Sequence, residues 1–435
     1  MSQVMSGRKS LASLRANARA HGDLLSNSSL VILTTAGNAA LGFVFWIVAA
    51  RFLTADAVGV AAAAISATTL IGTIGMFGMG TLLISSVGTV SRARAGRFIV
   101  AGIAIASIAS FLGGLGYVAL TPVLFPMVAQ SSFLANFLIV VVAVLTAVGL
   151  VLDEAIIGLL SSGIQLLRNL VFAAVKLALL VVLALLIGSA QPTVILGAWA
   201  IGLAVSLVVA AVRLRSLGVL LLVGPRLPST RMGGATLDHN LLNIALLVPT
   251  AGLPLIVAAG STAASTGAFY IAFAIVGLLN AIPSAFTLSL FAAGAREPEA
   301  LGAKLRVSMI VCLAVGLPVA VLIVLLRDPL LQIFGPSYAE LAAPALALLA
   351  VAYLPRLVPY HFMAIGRVSG RIRRTALVAA LATAAEFCAA WAGLGLGGLF
   401  GLSLAVLIVV TLEALVFLPA VVAAVRTRPA RTVTR

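Results

Sequence analysis

Four ionisable residues, Lys176, Arg356, Glu386 and Glu413, stand inside long apolar runs of the sequence. Charge in such surroundings is costly unless it faces a cavity or a partner, so these are the leading site candidates. Two chemistries are open to them. The cations can make charge-assisted contacts to an anionic group such as phosphate, and the carboxylates can pair with those cations or carry a coupling proton. Arg356 lies in Tyr353-Leu-Pro-Arg-Leu-Val-Pro-Tyr360, where Pro355 and Pro359 are expected to interrupt the helical ladder one turn apart. Broken helices are tolerated in a membrane where they line a protein-enclosed or watery cavity, so Arg356 either faces a cleft or forms a buried pair with Glu386 or Glu413. Lys176 either serves the same cleft or extends its stem toward the membrane interface. Arg51, before Phe52-Leu-Thr-Ala-Asp56, reads equally as a gate contact and as a helix-end cation favoured by the dipole. Asn38, Asn243 and Asn280 are candidate polar cleft residues or interhelical hydrogen bonders, and His361 is a proton relay or a packed group.

Other chemistries lack the residues they need. Cys312 and Cys388 sit in apolar runs without a C-x-x-C or Cys/His spacing, so neither a disulfide framework nor a zinc site is expected. No H-E-x-x-H, G-x-x-x-x-G-K-[ST] or G-x-S-x-G pattern occurs, so the common hydrolase and nucleotide-binding signatures are missing and no cofactor is expected.

The elements that must position these residues are membrane helices. Of the 435 residues, 63% are hydrophobic and only 9% charged, whereas a soluble domain is near half apolar and a quarter charged. Mean hydropathy is +1.24. A hydrocarbon core of about 30 Å needs roughly 20 apolar residues per helix. Twelve such runs appear, at approximately 29–50, 60–87, 98–121, 133–152, 169–188, 194–212, 241–260, 267–293, 307–326, 341–363, 375–394 and 399–423. Of the 27 basic residues, 23 fall in seven segments on one side if both termini are cytoplasmic, which is the positive-inside pattern. The net charge of +16 is therefore an insertion signal and implies no nucleic-acid partner.

A weak repeat divides the chain. Thr54-Ala-Asp-Ala-Val-Gly59 lies over Thr262-Ala-Ala-Ser-Thr-Gly267, and Ile157-Gly-Leu-Leu-Ser161 over Ile365-Gly-Arg-Val-Ser369, both at an offset of 208. With six helices per half the repeats are parallel, giving an all-α polytopic protein of two six-helix lobes about a pseudo-two-fold axis along the membrane normal, with a central cleft. The expected division is a cytoplasmic N-terminal segment at 1–28, an N-lobe at 29–212, a cytoplasmic linker at 213–240, a C-lobe at 241–423 and a basic tail at 424–435. The first segment lacks the exit site of a cleaved signal peptide, and it reads as an interfacial helix or as a tail. No loop is long enough for a soluble catalytic domain, so the chain is not expected to be an enzyme.

The run from Asn38 through Trp46 and Arg51 to Gly59, followed by Gly75-Met-Phe-Gly78-Met-Gly80, resembles the opening of the polysaccharide flippases of the multidrug/oligosaccharidyl-lipid/polysaccharide exporter superfamily. The second half agrees, with Ala263-Ala-Ser-Thr-Gly267-Ala-Phe-Tyr270, Ile282-Pro-Ser-Ala-Phe-Thr, Ile333-Phe-Gly335-Pro-Ser-Tyr338 and Leu354-Pro-Arg356 in the family's order. The resemblance covers roughly 28–423. It implies two lobes that rock between inward-open and outward-open states and carry a polyprenyl-pyrophosphate-linked glycan to the outer leaflet of a bacterial inner membrane. Lys176, Arg356 and Arg51 would then form a cationic cleft. Implied partners are the lipid-linked glycan, membrane lipids and a glycan polymerase or glycosyltransferases, around a monomer. The alternatives are a cation-coupled drug or organic-cation antiporter of the same superfamily, and a polytopic glycosyltransferase, ligase or non-transporting scaffold. Helix one carries no acidic residue, unlike that of many cation-coupled drug exporters.

Overall fold

A computed structural model of the chain describes residues 37, 40–221, 224–225, 234–294 and 301–426. Backbone polar groups in lipid must be satisfied within their own segment, and the described residues accordingly form helices. The N-lobe holds α1 (Ala40–Phe52), α2 (Ala55–Gly75), α3 (Met79–Ser86), α4 (Arg92–Leu124), α5 (Phe133–Gly158), α6 (Ser162–Ile187) and α7 (Thr193–Ser216). The C-lobe holds α8 (Gly234–Gly260), α9 (Ala263–Gly294), α10 (Leu301–Leu325), α11 (Arg327–Gln332), α12 (Pro336–Val351), α13 (Tyr353–Val368) and α14 (Ile372–Arg426). Among the described residues these elements make the expected two-lobed bundle of twelve spans, with α2–α3 and α12–α13 each taken as one span and the two limbs of α14 as two.

Three spans depart from simple rods. The run 60–87 divides into α2 and α3 at a tight turn in which Phe77 (φ 42°) and Gly78 (φ 80°) adopt left-handed backbone. Glycine accepts that conformation freely, whereas at Phe77 it is strained. The run 341–363 is α12 and α13, bent by 48°. The proline pattern places the interruption at Pro355 and Pro359, but the bend lies at Ala352, ahead of both, and α13 continues through them. Pro355 falls in the first turn of α13, where its missing N–H would have had no intrahelical partner, so it starts a helix rather than breaking one. The last two spans run together as α14, interrupted only at Gly397 and Gly398, whose backbone leaves helical geometry.

Helix entry is set locally by capping side chains. Thr54 Oγ1 accepts from the Ala57 N–H at 3.3 Å, and Thr262 Oγ1 accepts from the Ser265 N–H at 3.1 Å. These are the same turn in the two repeats. Beyond its cap α2 is rich in small residues, with Gly59, Ala61 to Ala64 and Ala67 on its first turns, and Ala57 to Thr68 are all buried. Side chains this small let α2 pack closely against α9 and α8 and join the lobes. A large apolar core gathers Phe45 and Trp46 of α1 with Phe269 of α9, Leu346 of α12 and Tyr353 of α13. On the outside, Leu185, Leu186, Leu325, Leu396 and Val416 are largely exposed, as a surface in contact with lipid requires.

Candidate functional site

The candidate site lies inside the C-lobe. A cavity of about 450 Å³ opens between α8, α9, α13 and both limbs of α14. Arg356, four residues into α13, faces it together with Pro359 and Tyr360, while Glu386 enters from the first limb of α14 and Glu413 from the second. Arg356 Nη2 donates to Glu386 Oε2 at 3.1 Å, and Nη1 reaches Oε1 at 3.5 Å, an Arg–carboxylate fork. Both side chains are largely buried, at 18% and 6% exposure. This contact joins the two residues as a charge pair, one of the alternatives open from sequence. Glu413 lines the same cavity, and its Oε1 is buried with no hydrogen-bond partner. Asn280 of α9 is in the same condition, its Oδ1 buried and unpartnered on the cavity wall. One cation and two carboxylates therefore converge, and the Arg356–Glu386 pair leaves the Glu413 carboxyl with an unmet demand for a proton or a cation.

The structure does not bring Lys176 to this cavity. Its ammonium lies within an aromatic cage, 4.0 Å from the Trp199 ring centroid, 4.3 Å from Phe172 and 4.8 Å from Phe45. Only 4% of the residue is exposed, so the stem does not reach an interface either. Attraction to three ring faces holds the charge there without a carboxylate. His361 also turns away from the cavity. A carbonyl can only accept, so Nδ1–H donates to Leu357 O (2.7 Å), which leaves Nε2 to accept from the Ser308 hydroxyl (2.9 Å). With both nitrogens engaged and the ring fully buried, His361 ties α13 to α10. Asn243 lies in α8, but its side chain is outside the described set, and Asn38 is outside the described residues altogether.

Arg51 stands at the end of the bundle opposite the basic segments. Its Nε donates to Ile333 O at 2.6 Å and its Nη2 to Gln332 O at 3.0 Å, bridging α1 to the C-terminus of α11 in the other lobe. Close by, Asp56 Oδ1 accepts from the Ala264 N–H at 3.1 Å and so caps α9 from across the lobe boundary. Gly59 and Gly267 pack against each other at the same crossing. A Cβ at Gly59 would run into the backbone of Ala263, and one at Gly267 would approach the Gly59 nitrogen at 3.0 Å. The lobes are thus in contact at the end opposite the basic residues.

A second charged cluster escapes the hydropathy pattern. α5 continues past the apolar run ending at 152 and takes Asp153 and Glu154 into its last turns. Asp153 pairs with Arg168, whose Nε donates to Oδ1 at 2.9 Å and whose Nη2 also bonds Asn169 Oδ1 at 2.9 Å. Arg168, one of the loop cations by the positive-inside pattern, is in fact buried in the second turn of α6. Extending the helical reading to the turn at 159–161 would have exposed this pair.

Residues 237–392 match the model of the MatE family. No curated protein sequence matches the chain. Among solved structures, an inward-facing multidrug resistance MATE family transporter of the MOP superfamily aligns with a TM-score of 0.63 at 17% identity, covering 88% of this chain and 96% of that one. A MATE in complex with MaL6 aligns at 0.63 and 14% identity, covering 93% and 96%. An outward-facing multidrug resistance MATE family transporter of the same superfamily aligns at 0.60 and 14%, covering 92% and 96%. The chain therefore has the two-lobed fold of the MATE transporters, and its α8 to α14 region, which holds the cavity, includes the segment that matches the MatE model.

Proposed function

We propose that this chain is a transporter of the MATE family and acts as a cation-coupled antiporter of organic cations, with the C-lobe cavity as its coupling site. The observation that carries this reading is the excess of carboxylate in the cavity, where Arg356 is already paired to Glu386 and Glu413 is left with a bare oxygen. A carboxylate so placed binds either a proton, a small inorganic cation or the charged end of an organic cation. Ligands that compete for one carboxylate exclude each other. If the lobes change sides only when one of them is bound, inward movement of the coupling ion drives outward movement of the cargo. Helix one carries no acidic residue, whereas the C-lobe cavity holds the unpartnered carboxylate of Glu413. By the positive-inside rule the basic end faces the cytoplasm, so the contacts of Arg51, Asp56 and Gly59 close the outer side.

The lipid-linked glycan reading needs a cationic cleft. Lys176 is caged by rings and Arg356 is neutralised by Glu386, so the cavity holds no free cation for a pyrophosphate among the described residues. Purified protein in proteoliposomes separates the two readings. Imposed proton or sodium gradients should drive movement of a fluorescent organic cation in wild type and at least tenfold less in Glu413→Gln. Failure of both gradients to move the dye, together with translocation of a polyprenyl-pyrophosphate glycan, would return the assignment to glycan flipping.

A further inference from the structure

A second concavity lies on the lipid-facing side of α13, back to back with the coupling cavity. Arg356 and Pro359 face the cavity, whereas Leu354, Pro355 and Val358 face a groove of about 510 Å³ closed by α10 and the second limb of α14. The walls are apolar, with Met309 and Leu313 on α10 and Leu418 and Val422 on α14. The polarity is confined to the basic end of the bundle, where Arg306 and Arg426 line the mouth. Both arginines are exposed, and among the described residues Arg306 makes a weak bond from Nη2 to Val425 O at 3.4 Å, a single one of its five donors.

We propose that this groove binds one anionic phospholipid of the cytoplasmic leaflet. Its phosphate would sit between Arg306 and Arg426, and an acyl chain would lie along α13. The dimensions suit that occupant. From Arg306 to Leu313 and from Arg426 to Leu418 the walls rise about 10–12 Å along their helices, most of one leaflet's share of a hydrocarbon core about 30 Å thick. The charge suits it as well. Guanidinium groups are suited to bidentate phosphate recognition, and basic residues at this interface draw anionic lipid. Two cations at the mouth disfavour the organic-cation cargo proposed for the cavity, and exposure of Ile310, Leu354 and Leu418 leaves the groove open to the bilayer. A chain lodged there backs the helix that holds Arg356, whichever cargo the cavity carries.

The test is lipid binding to the purified full chain, followed by native mass spectrometry during titration with phosphatidylglycerol or phosphatidylcholine. Wild type should retain phosphatidylglycerol about tenfold more strongly, and R306Q/R426Q should lose that preference while holding phosphatidylcholine unchanged. The single variant Arg426→Gln, at an exposed helix end, should lose about threefold and covers the case in which the double variant fails to fold. Val422→Trp, which fills the groove, should weaken both lipids. Equal retention of the two lipids by wild type, a preference that survives R306Q/R426Q, or displacement of phosphatidylglycerol by millimolar inorganic phosphate would each overturn the proposal.

Discussion

A carboxylate oxygen buried without a partner costs on the order of 1–3 kcal/mol unless a proton or cation satisfies it, and Glu413 is in that position. Glu413→Gln keeps the shape and removes the group that takes up a proton or cation, so it should fold normally by gel filtration yet uncouple transport from the ion gradient. The Arg356–Glu386 pair behaves differently. Removing either partner strands a buried charge, so Arg356→Met or Glu386→Leu should each lower stability by about 3–5 kcal/mol, whereas the two substitutions together should cost far less. Thermal unfolding of the four forms measures this as a double-mutant cycle, and additive single effects would refute the coupling. At this scale the sequence is partly legible. Charges inside apolar runs are conspicuous, so Arg356, Glu386 and Glu413 stand out from the chain on their own. Their pairing does not, because residues 30 and 57 positions from Arg356 meet only through the packing of α13 against both limbs of α14. The placement of Lys176 depends on packing in the same way, since its cage draws on α1, α6 and α7. Arg168 is hidden for the opposite reason, because a cation next to a loop fits the insertion pattern without calling for a partner.

At the scale of elements, the apolar runs fall on helices throughout the described residues but do not mark the breaks in them. Apolar runs report where lipid lies, whereas the break in α2–α3 depends on the left-handed backbone of Phe77 and Gly78, and the bend between α12 and α13 falls in a stretch with no proline of its own. The α2/α9 crossing is half legible. The repeat at offset 208 pairs Gly59 with Gly267 as equivalents, but not as neighbours. Gly59→Leu should wedge this crossing apart, since no side chain fits between the two backbones. In a Cys312→Ser/Cys388→Ser background, a cysteine at Ala63, fully buried one turn deeper, should then react with maleimide at least tenfold faster than without the wedge. Unchanged labelling would mean that the outer contact does not close the lobes.

For the whole molecule, the even number of spans and the one-sided basic residues make a joint prediction about topology. Cysteines at Ser216, ending α7, and at Ser337, opening α12, should label from opposite sides of intact cells, Ser337 from outside, and labelling from one side would refute the arrangement. The crossing of α2 and α9 is also where the two repeats meet at equivalent positions. Asp56 meets Ala264 and Gly59 meets Gly267, each at its own repeat position, so the axis relating the lobes passes through that contact. For two identical halves, one substitution there would alter both sides of the contact at once, and a glycine would be present twice or not at all. In this chain only the first half carries the capping carboxylate, so Asp56 caps α9 while Ala264 has no carboxylate to offer α2 in return, and each side of the contact can be substituted alone.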